Sequence, residues 1–91
     1  MKTVAIQVYG LVQGVGFRYM TKQLADSLGV KGIVMNRRDG SVYIEAQAKP
    51  MILQEFISKV KLSPSPSGRV DDYQIEEINH SIYPDFKVTY E

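Results

Sequence analysis

The chain has 91 residues, of which 44% are hydrophobic and 23% charged, enough for one small packed core. Its 11 basic and 10 acidic residues leave a net charge of +1, which excludes a global field that attracts nucleic acid or anionic lipid. The absence of cysteine excludes disulfides, a thiolate nucleophile and a sulfur-ligated metal. No apolar stretch approaches the roughly 18 residues of a membrane span. We therefore expect one cytoplasmic domain over residues 1–91, with no membrane partner.

The first part of the chain predicts a strand, a glycine-rich turn and a helix. Apolar residues alternate with polar or small ones over positions 3–8, the period of a strand buried on one face. The glycine segment, defined as Gly10–Arg18, follows this strand, and its glycines at 10, 14 and 16 permit positive φ and a close approach of a ligand to the backbone. Helical spacing of apolar residues over Phe17–Leu28 then predicts a helix, which Gly29 ends.

The middle of the chain predicts a hairpin and a second helix. Gly32–Asn36 reads as a strand, Asp39-Gly40 is a strong turn signal, and alternation resumes over Val42–Ala46. Asn36 therefore lies near the tip of the hairpin. A proline at the first helical position and an apolar stripe predict a helix from Pro50 to about Leu62.

The last third of the chain completes the fold prediction. Ser63–Gly68 alternates serine and proline and must form a loop. Arg69–Ile78 predicts a strand, although acidic pairs interrupt its alternation, and Phe86–Tyr90 predicts a short final strand after irregular residues 79–85. The order is βαββαβ with one more strand appended. Two amphipathic helices on one face of a mostly antiparallel sheet make an α+β, two-layer sandwich of the ferredoxin-like type.

The glycine segment is the strongest candidate for a binding site. Backbone N–H groups that converge where a helix begins, together with the helix dipole, favour an anion. Arg18 adds a planar guanidinium that fits two oxygens of a phosphate or carboxylate. The alternative is a tight connection with a solvated Arg18, because short glycine patterns are weak evidence. The spacing Gly-x-x-x-Gly-x-Gly matches neither nucleotide-binding fingerprint, which argues against a nucleoside triphosphate.

Asn36 is suited to the placement of a water molecule. Its carboxamide donates and accepts hydrogen bonds but has no useful pKa, so it orients a nucleophile without deprotonating it. The alternative is a turn residue. His80, the only histidine, lies in an irregular stretch where a surface role is expected. An acyl phosphate suits such a site, because its carboxylate leaving group needs no general acid.

No metal site is predicted, because the chain has no set of histidines and cysteines and no calcium-loop spacing. Acidic side chains in the fourth strand are expected to form a solvated face. These are Asp71, Asp72, Glu76 and Glu77.

Two stretches carry a family resemblance. Gly10–Arg18 and Gly32–Val42 closely resemble the two signature stretches of the acylphosphatases, and the likeness extends over nearly the whole chain. The resemblance implies a ferredoxin-like sandwich that hydrolyses carboxyl-phosphate bonds without a metal or other cofactor. It also implies that loop amides and Arg18 bind the phosphate, that Asn36 orients the attacking water, and that the substrate's phosphate takes the proton. The phosphate-binding residues carried over are Gln13, Gly14, Val15, Gly16, Phe17 and Arg18.

One segment departs from the family's pattern. Ala46–Pro50 replaces a glycine with acidic neighbours that many members have after the third strand. We expect this difference to affect the strand-to-helix connection and to leave the signature residues intact. The side chains of Val15 and Phe17 are expected to lie in the core.

Three functions follow from these patterns. The first is an acylphosphatase that acts as a monomer on a small acyl phosphate and releases inorganic phosphate. The second is a phosphate-sensing module without turnover, since ferredoxin-like domains often serve inside larger proteins. The third is an RNA-binding sheet with the same order of elements, but Ser41–Ala48 lacks the aromatic run that it requires, so no nucleic-acid partner is expected.

Overall fold

The computed structural model describes all 91 residues. The strands are β1 (Lys2–Leu11), β2 (Lys31–Asn36), β3 (Val42–Ala48), β4 (Arg69–Ile78) and β5 (Phe86–Tyr90), and the helices are α1 (Phe17–Leu28) and α2 (Pro50–Lys61). The predicted order, βαββαβ with one strand appended, is confirmed. No helix is both long enough and apolar enough to cross a bilayer.

The five strands form one sheet in the order β4-β1-β3-β2-β5. All neighbouring strands are antiparallel except β2 and β5, which are parallel. Because β1 and β2 are both antiparallel to β3, they run in the same direction and end at the same end of the sheet. Val8 of β1 and Asn36 of β2 pair with Val42 of β3 from opposite sides. The sheet therefore brings the beginning of the first connection close to the hairpin.

The core lies between the two helices and one face of the sheet. It contains 16 buried apolar residues drawn from both layers. Phe17, Phe56 and Phe86 are 1%, 0% and 1% exposed, and the ring centroids of Phe56 and Phe86 are 6.1 Å apart. Burial of each ring contributes about 2 kcal/mol to stability. The two-layer sandwich and the core position of Phe17 are confirmed, and Val15 packs against the core while partly buried.

Gly10 belongs to β1 and not to the connection after it, so this part of the predicted glycine segment was wrong. The register of β1 with β4 shifts between Tyr9 and Gly10, and the strand continues to Leu11. Gly10 has a φ of 134°, and a Cβ there would lie 2.4 Å from the carbonyl oxygen of Arg69. Glycine is required because β4 approaches too closely for a side chain. The connection itself, which we call the β1–α1 loop, is residues 12–16.

β4 forms one edge of the sheet. Residues 71–77 are all exposed, so the acidic pairs face solvent as expected. Arg69 and Asp71 form an ion pair along this strand, with Nε 2.6 Å from Oδ1. Charged side chains on an edge strand limit pairing with another chain.

The crossover segment, residues 79–85, joins β4 to β5 at opposite edges of the sheet. The buried Gln47 of β3 fixes it. The Gln47 Nε2 donates to the carbonyl oxygens of His80 at 3.4 Å and Ser81 at 2.7 Å. Its Oε1 accepts from the N–H of Tyr83 at 2.8 Å. Gln47 lies in the stretch that departs from the family's pattern, and one of its roles is now clear: its side chain satisfies three backbone groups of an irregular segment.

His80 is exposed, as expected, but it is not isolated. Its ring stacks on the ring of Tyr83, with centroids 4.1 Å apart and planes 10° from parallel. The phenol of Tyr83 donates a hydrogen bond to Glu45 on β3, and the Nε2 of His80 lies 4.0 Å from the same carboxylate. These contacts hold the crossover segment against the sheet.

Candidate active site

A concavity of about 390 Å³ lies where β1, β2 and β5 end beside the start of α1. Its lining residues are Val12, Gly14, Gly16, Phe17, Arg18, Tyr19, Asn36, Val88 and Tyr90. The structure thus brings Arg18 and Asn36, the two residues singled out in the sequence, to one site. Gln13 and Val15, also predicted as phosphate-binding residues, do not line the concavity.

The start of α1 leaves a row of backbone N–H groups without partners in the chain. Gly14 and Gly16 have φ of 77° and 75°, and Gly16 caps the helix in a left-handed conformation with no side-chain cap. The first helical bond runs from the N–H of Met20 to the carbonyl of Gly16 at 3.1 Å, and the N–H groups of residues 13–19 donate to no group of the chain. Unpaired N–H groups at the positive end of a helix dipole are suited to an anion.

Arg18, the second residue of α1, lines the same concavity as Gly14 and Gly16. No carboxylate lies within ion-pair distance of it. Its central carbon lies 5.2 Å from the centroid of the Tyr90 ring, a cation–π contact that holds one face of the guanidinium. The N–H groups at the rim of the guanidinium are therefore available to an anion.

Asn36 is the last residue of β2 and pairs with Val42 on one side and Tyr90 on the other. Its side-chain Oδ1 is buried and has no hydrogen-bond partner. A buried acceptor without a partner is costly, so this atom marks a place for a donor that the chain does not supply. Asn36 has no positive φ, and a turn conformation therefore does not account for it.

Gln13 turns its side chain away from the concavity and towards the hairpin. Its Nε2 donates to the carbonyl oxygen of Arg37 at 2.7 Å and to that of Ser41 at 2.8 Å. Sequence reasoning missed this contact. No local signal reveals it, because the partners lie 24 and 28 residues further along the chain.

The serine-proline loop supports the β1–α1 loop from another direction. Ser65, which is buried, donates from its Oγ to the carbonyl oxygen of Val15 at 2.5 Å. A Cβ on Gly68 would lie 3.2 Å from the Cγ2 of Val15 and 2.8 Å from the Oγ of Ser63. Sequence reasoning identified a loop at residues 63–68 but not this contact, since serine and proline predict a turn without naming its neighbour.

The tip of the hairpin is held by its own side chains. The Asp39 carboxylate accepts hydrogen bonds from the Oγ of Ser41 at 2.5 Å and from its N–H at 2.9 Å. The hydroxyl bond, and after it the N–H bond, holds the pKa of Asp39 below its ordinary value of 3.8. The Ser41 Oγ in turn accepts from the Nε2 of Gln7 at 2.9 Å, which ties the tip to β1.

The fold and this site define a class: a ferredoxin-like α+β domain with a candidate anion site at the start of its first helix. The sequence model of the family described as Acylphosphatase matches residues 4–88. A relative from Ligilactobacillus salivarius, named acylphosphatase, is 51% identical over 90 residues, which are 99% of this chain and 100% of the relative. The crystal structure of acylphosphatase from Bacillus subtilis is 39% identical, with a TM-score of 0.91 over 99% of this chain and 100% of that chain.

The chain belongs to the acylphosphatase family, which confirms the family and the enzyme class predicted from the two signature stretches. A similar domain also occurs in a much longer protein. HypF from T. kodakarensis is 27% identical, with a TM-score of 0.88 over 100% of this chain and only 12% of that chain.

Proposed function

We propose that this chain hydrolyses acyl phosphates, cleaving the carboxyl-phosphate bond to give a carboxylate and inorganic phosphate. In this proposal the N–H groups of residues 13–18 and the guanidinium of Arg18 bind the phosphoryl group, and Asn36 orients the attacking water. One observation carries it: unpaired N–H groups, an uncommitted guanidinium and a buried carboxamide oxygen without a partner meet at a single concavity.

The chemistry needs positioning and charge stabilisation more than acid or base catalysis. The water oxygen bonds to phosphorus in line with the bond that breaks, and the carboxylate leaves with that electron pair. The N–H groups and Arg18 stabilise charge on the other three phosphoryl oxygens. The lining residues include no carboxylate or imidazole to act as a general base, so the proton of the water passes to a phosphate oxygen of the substrate itself.

We also propose that no metal or other cofactor takes part. The carboxylate leaving group is stable at neutral pH, so it needs neither protonation by a general acid nor a metal to stabilise its negative charge. The lining residues include no carboxylate, histidine or cysteine, the usual ligands of a catalytic metal. We further propose that the chain acts as a single domain over residues 1–91, as a monomer in the cytoplasm. Its near-zero net charge supports the absence of a nucleic-acid partner.

The test is the release of inorganic phosphate from benzoyl phosphate, acetyl phosphate and a phosphate monoester, each with and without a chelator. We expect turnover of both acyl phosphates, no effect of the chelator, and little turnover of the monoester. Inorganic phosphate binding without turnover would favour the phosphate-sensing module instead. Loss of activity with the chelator would contradict metal independence.

A further inference from the structure

We propose that the side chain of Gln13 is a positioning residue, which sets the placement of Asn36 relative to the β1–α1 loop. The inference rests on the proposed function, in which that loop binds the phosphoryl group and Asn36 orients the water. It concerns the Gln13 side chain, whereas the backbone N–H of the same residue belongs to the proposed phosphate site. The side chain acts through Asn36 and does not touch the substrate.

The carboxamide of Gln13 binds both sides of the β2–β3 hairpin. An NH₂ group has two hydrogens to donate, and Gln13 uses both: one on the Arg37 carbonyl at 2.7 Å and one on the Ser41 carbonyl at 2.8 Å. Arg37 and Ser41 form the neck of the β2–β3 hairpin, where the N–H of Arg37 donates to the carbonyl of Ser41 at 2.8 Å. One side chain therefore holds both sides of the neck.

The neck of the hairpin adjoins Asn36 on both strands. Arg37 follows Asn36 directly, and Ser41 precedes Val42, the residue that pairs with Asn36 across the strands. In the β1–α1 loop, Gln13 directly precedes Gly14, the first of the two glycines there that have positive φ. The loop and Asn36 come from different elements, and this carboxamide joins them. A misplacement of about 1 Å between a bound substrate and its nucleophile lowers rates by roughly a hundredfold.

The hairpin neck and the β1–α1 loop each have contacts that do not depend on Gln13. The hairpin neck keeps its own backbone bond without Gln13, and the β1–α1 loop keeps the bond from Ser65 to Val15. Loss of the Gln13 carboxamide thus leaves the hairpin neck and the β1–α1 loop each with its own hydrogen bond. It removes the contact that fixes their positions relative to each other. We therefore expect a large effect on turnover and a small one on folding.

The chain offers a matched control. Gln47 also donates from its Nε2 to two backbone carbonyls, but its partners lie in the crossover segment and it does not line the concavity. Gln13→Met and Gln47→Met make the same chemical change, the replacement of a carboxamide by an apolar side chain of similar length. Only Gln13→Met should alter catalysis.

The experiment is a double-mutant cycle with Gln13→Met and Asn36→Ala. Benzoyl phosphate gives kcat and KM, and inhibition by inorganic phosphate gives the affinity of the phosphate site. We expect Gln13→Met to lower kcat by roughly 10-fold to 100-fold, with phosphate affinity within about threefold of the parent. In the Asn36→Ala background the same change should lower kcat no further, because the side chain acts through Asn36. Additive losses, or a loss of phosphate affinity parallel to the loss of kcat, would overturn the inference.

A second measurement does not depend on turnover. Inorganic phosphate is titrated into ¹⁵N-labelled protein while the side-chain NH₂ resonances of Asn36 are followed. We expect phosphate to shift them in the parent chain and in Gln47→Met, and to shift them much less in Gln13→Met, whose loop N–H resonances still respond. An unchanged Asn36 response in Gln13→Met would refute the inference, whether or not acyl phosphates are hydrolysed.

Thermal unfolding shows that each variant is folded at the assay temperature, and Gln13→Asn, one methylene too short to reach both carbonyls, is a second variant with the same expected loss. If the parent chain hydrolyses no acyl phosphate, the proposed function fails and the NMR titration still decides the inference. If the parent is active but the cycle is additive, the inference fails and the proposed function stands.

Discussion

Two irregular segments of this chain each share a glutamine contact with a distant part of the chain. Gln13 of the β1–α1 loop donates to two backbone carbonyls of the hairpin, and Gln47 of β3 donates to two backbone carbonyls of the crossover segment. The surroundings differ. Gln47 is 2% exposed, and its Oε1 also accepts a bond from Tyr83. Gln13 is only partly buried, and its Oε1 accepts no bond within the chain.

The neighbours of the two glutamines differ in the same way. Beside Gln47, the phenol of Tyr83 donates to Glu45, and burial followed by that hydrogen bond raises the pKa of Tyr83 above its ordinary value. Beside Gln13, a row of N–H groups and the Oδ1 of Asn36 have no partner. Unpaired polar groups lower stability, so their concentration at one end of the sheet distinguishes a binding region from a purely structural one.

The largest expected effect is that of Asn36→Ala, which tests whether the unpaired groups do chemistry. Removal of the carboxamide should lower kcat by roughly 10³-fold, because the water loses its orientation, while inhibition by inorganic phosphate stays close to that of the parent. Steady-state hydrolysis of benzoyl phosphate measures both kcat and the inhibition by inorganic phosphate. Lost phosphate binding with a retained rate would reverse the roles of Asn36 and the loop.

Arg18→Lys should have the next largest effect. A point charge does not reproduce two parallel hydrogen bonds, so kcat/KM should fall by roughly a hundredfold and phosphate affinity should weaken. Arg38→Lys is the control, because Arg38 is 94% exposed at the hairpin tip and does not line the concavity. Near-normal kinetics for the Arg18 variant would remove the guanidinium from the proposed site.

Gln47→Met tests the structural side of the comparison. The change removes three hydrogen bonds between the Gln47 side chain and backbone groups of the crossover segment, so the free energy of unfolding should fall by about 2 kcal/mol, with kcat unchanged. Urea unfolding measures the free energy of unfolding, and the phosphate-release assay measures kcat. A fall in kcat for the folded variant would mean that the crossover segment is coupled to the candidate active site. The distinction between a structural region and a binding region would then be false.

The smallest expected effect concerns the pH dependence of stability at the hairpin tip. The pKa of Asp39 is lowered in the folded chain, so its charged form contributes stability above its ordinary value of 3.8, and this contribution is lost as pH falls through the lowered pKa. Asp39→Asn should therefore make Tm fall less steeply on acidification. Thermal unfolding between about pH 2 and pH 6 covers this window. An unchanged slope would show that the Asp39 bonds to Ser41 add no net stability.

Much of the fold could be predicted because burial leaves a local pattern. The alternation at positions 3–8 and the helical spacing over Phe17–Leu28 correspond to elements that the structure contains. The predicted strand at Arg69–Ile78 also forms, despite its acidic pairs, since an edge strand exposes them. Gly10 was misplaced because the reason for glycine there is the approach of a distant strand, which no neighbouring residue reports.

The sequence by itself determined the elements, the two signature stretches and the types of residue at the candidate site. Only the tertiary structure decided which of them meet. The sheet order brings the ends of β1 and β2 together, and the bonds from Gln13 to the hairpin and from Ser65 to Val15 join residues 24 to 50 positions apart. Periodicity records whether a side chain is buried, but a hydrogen bond depends on where two distant backbones lie, and packing alone establishes that.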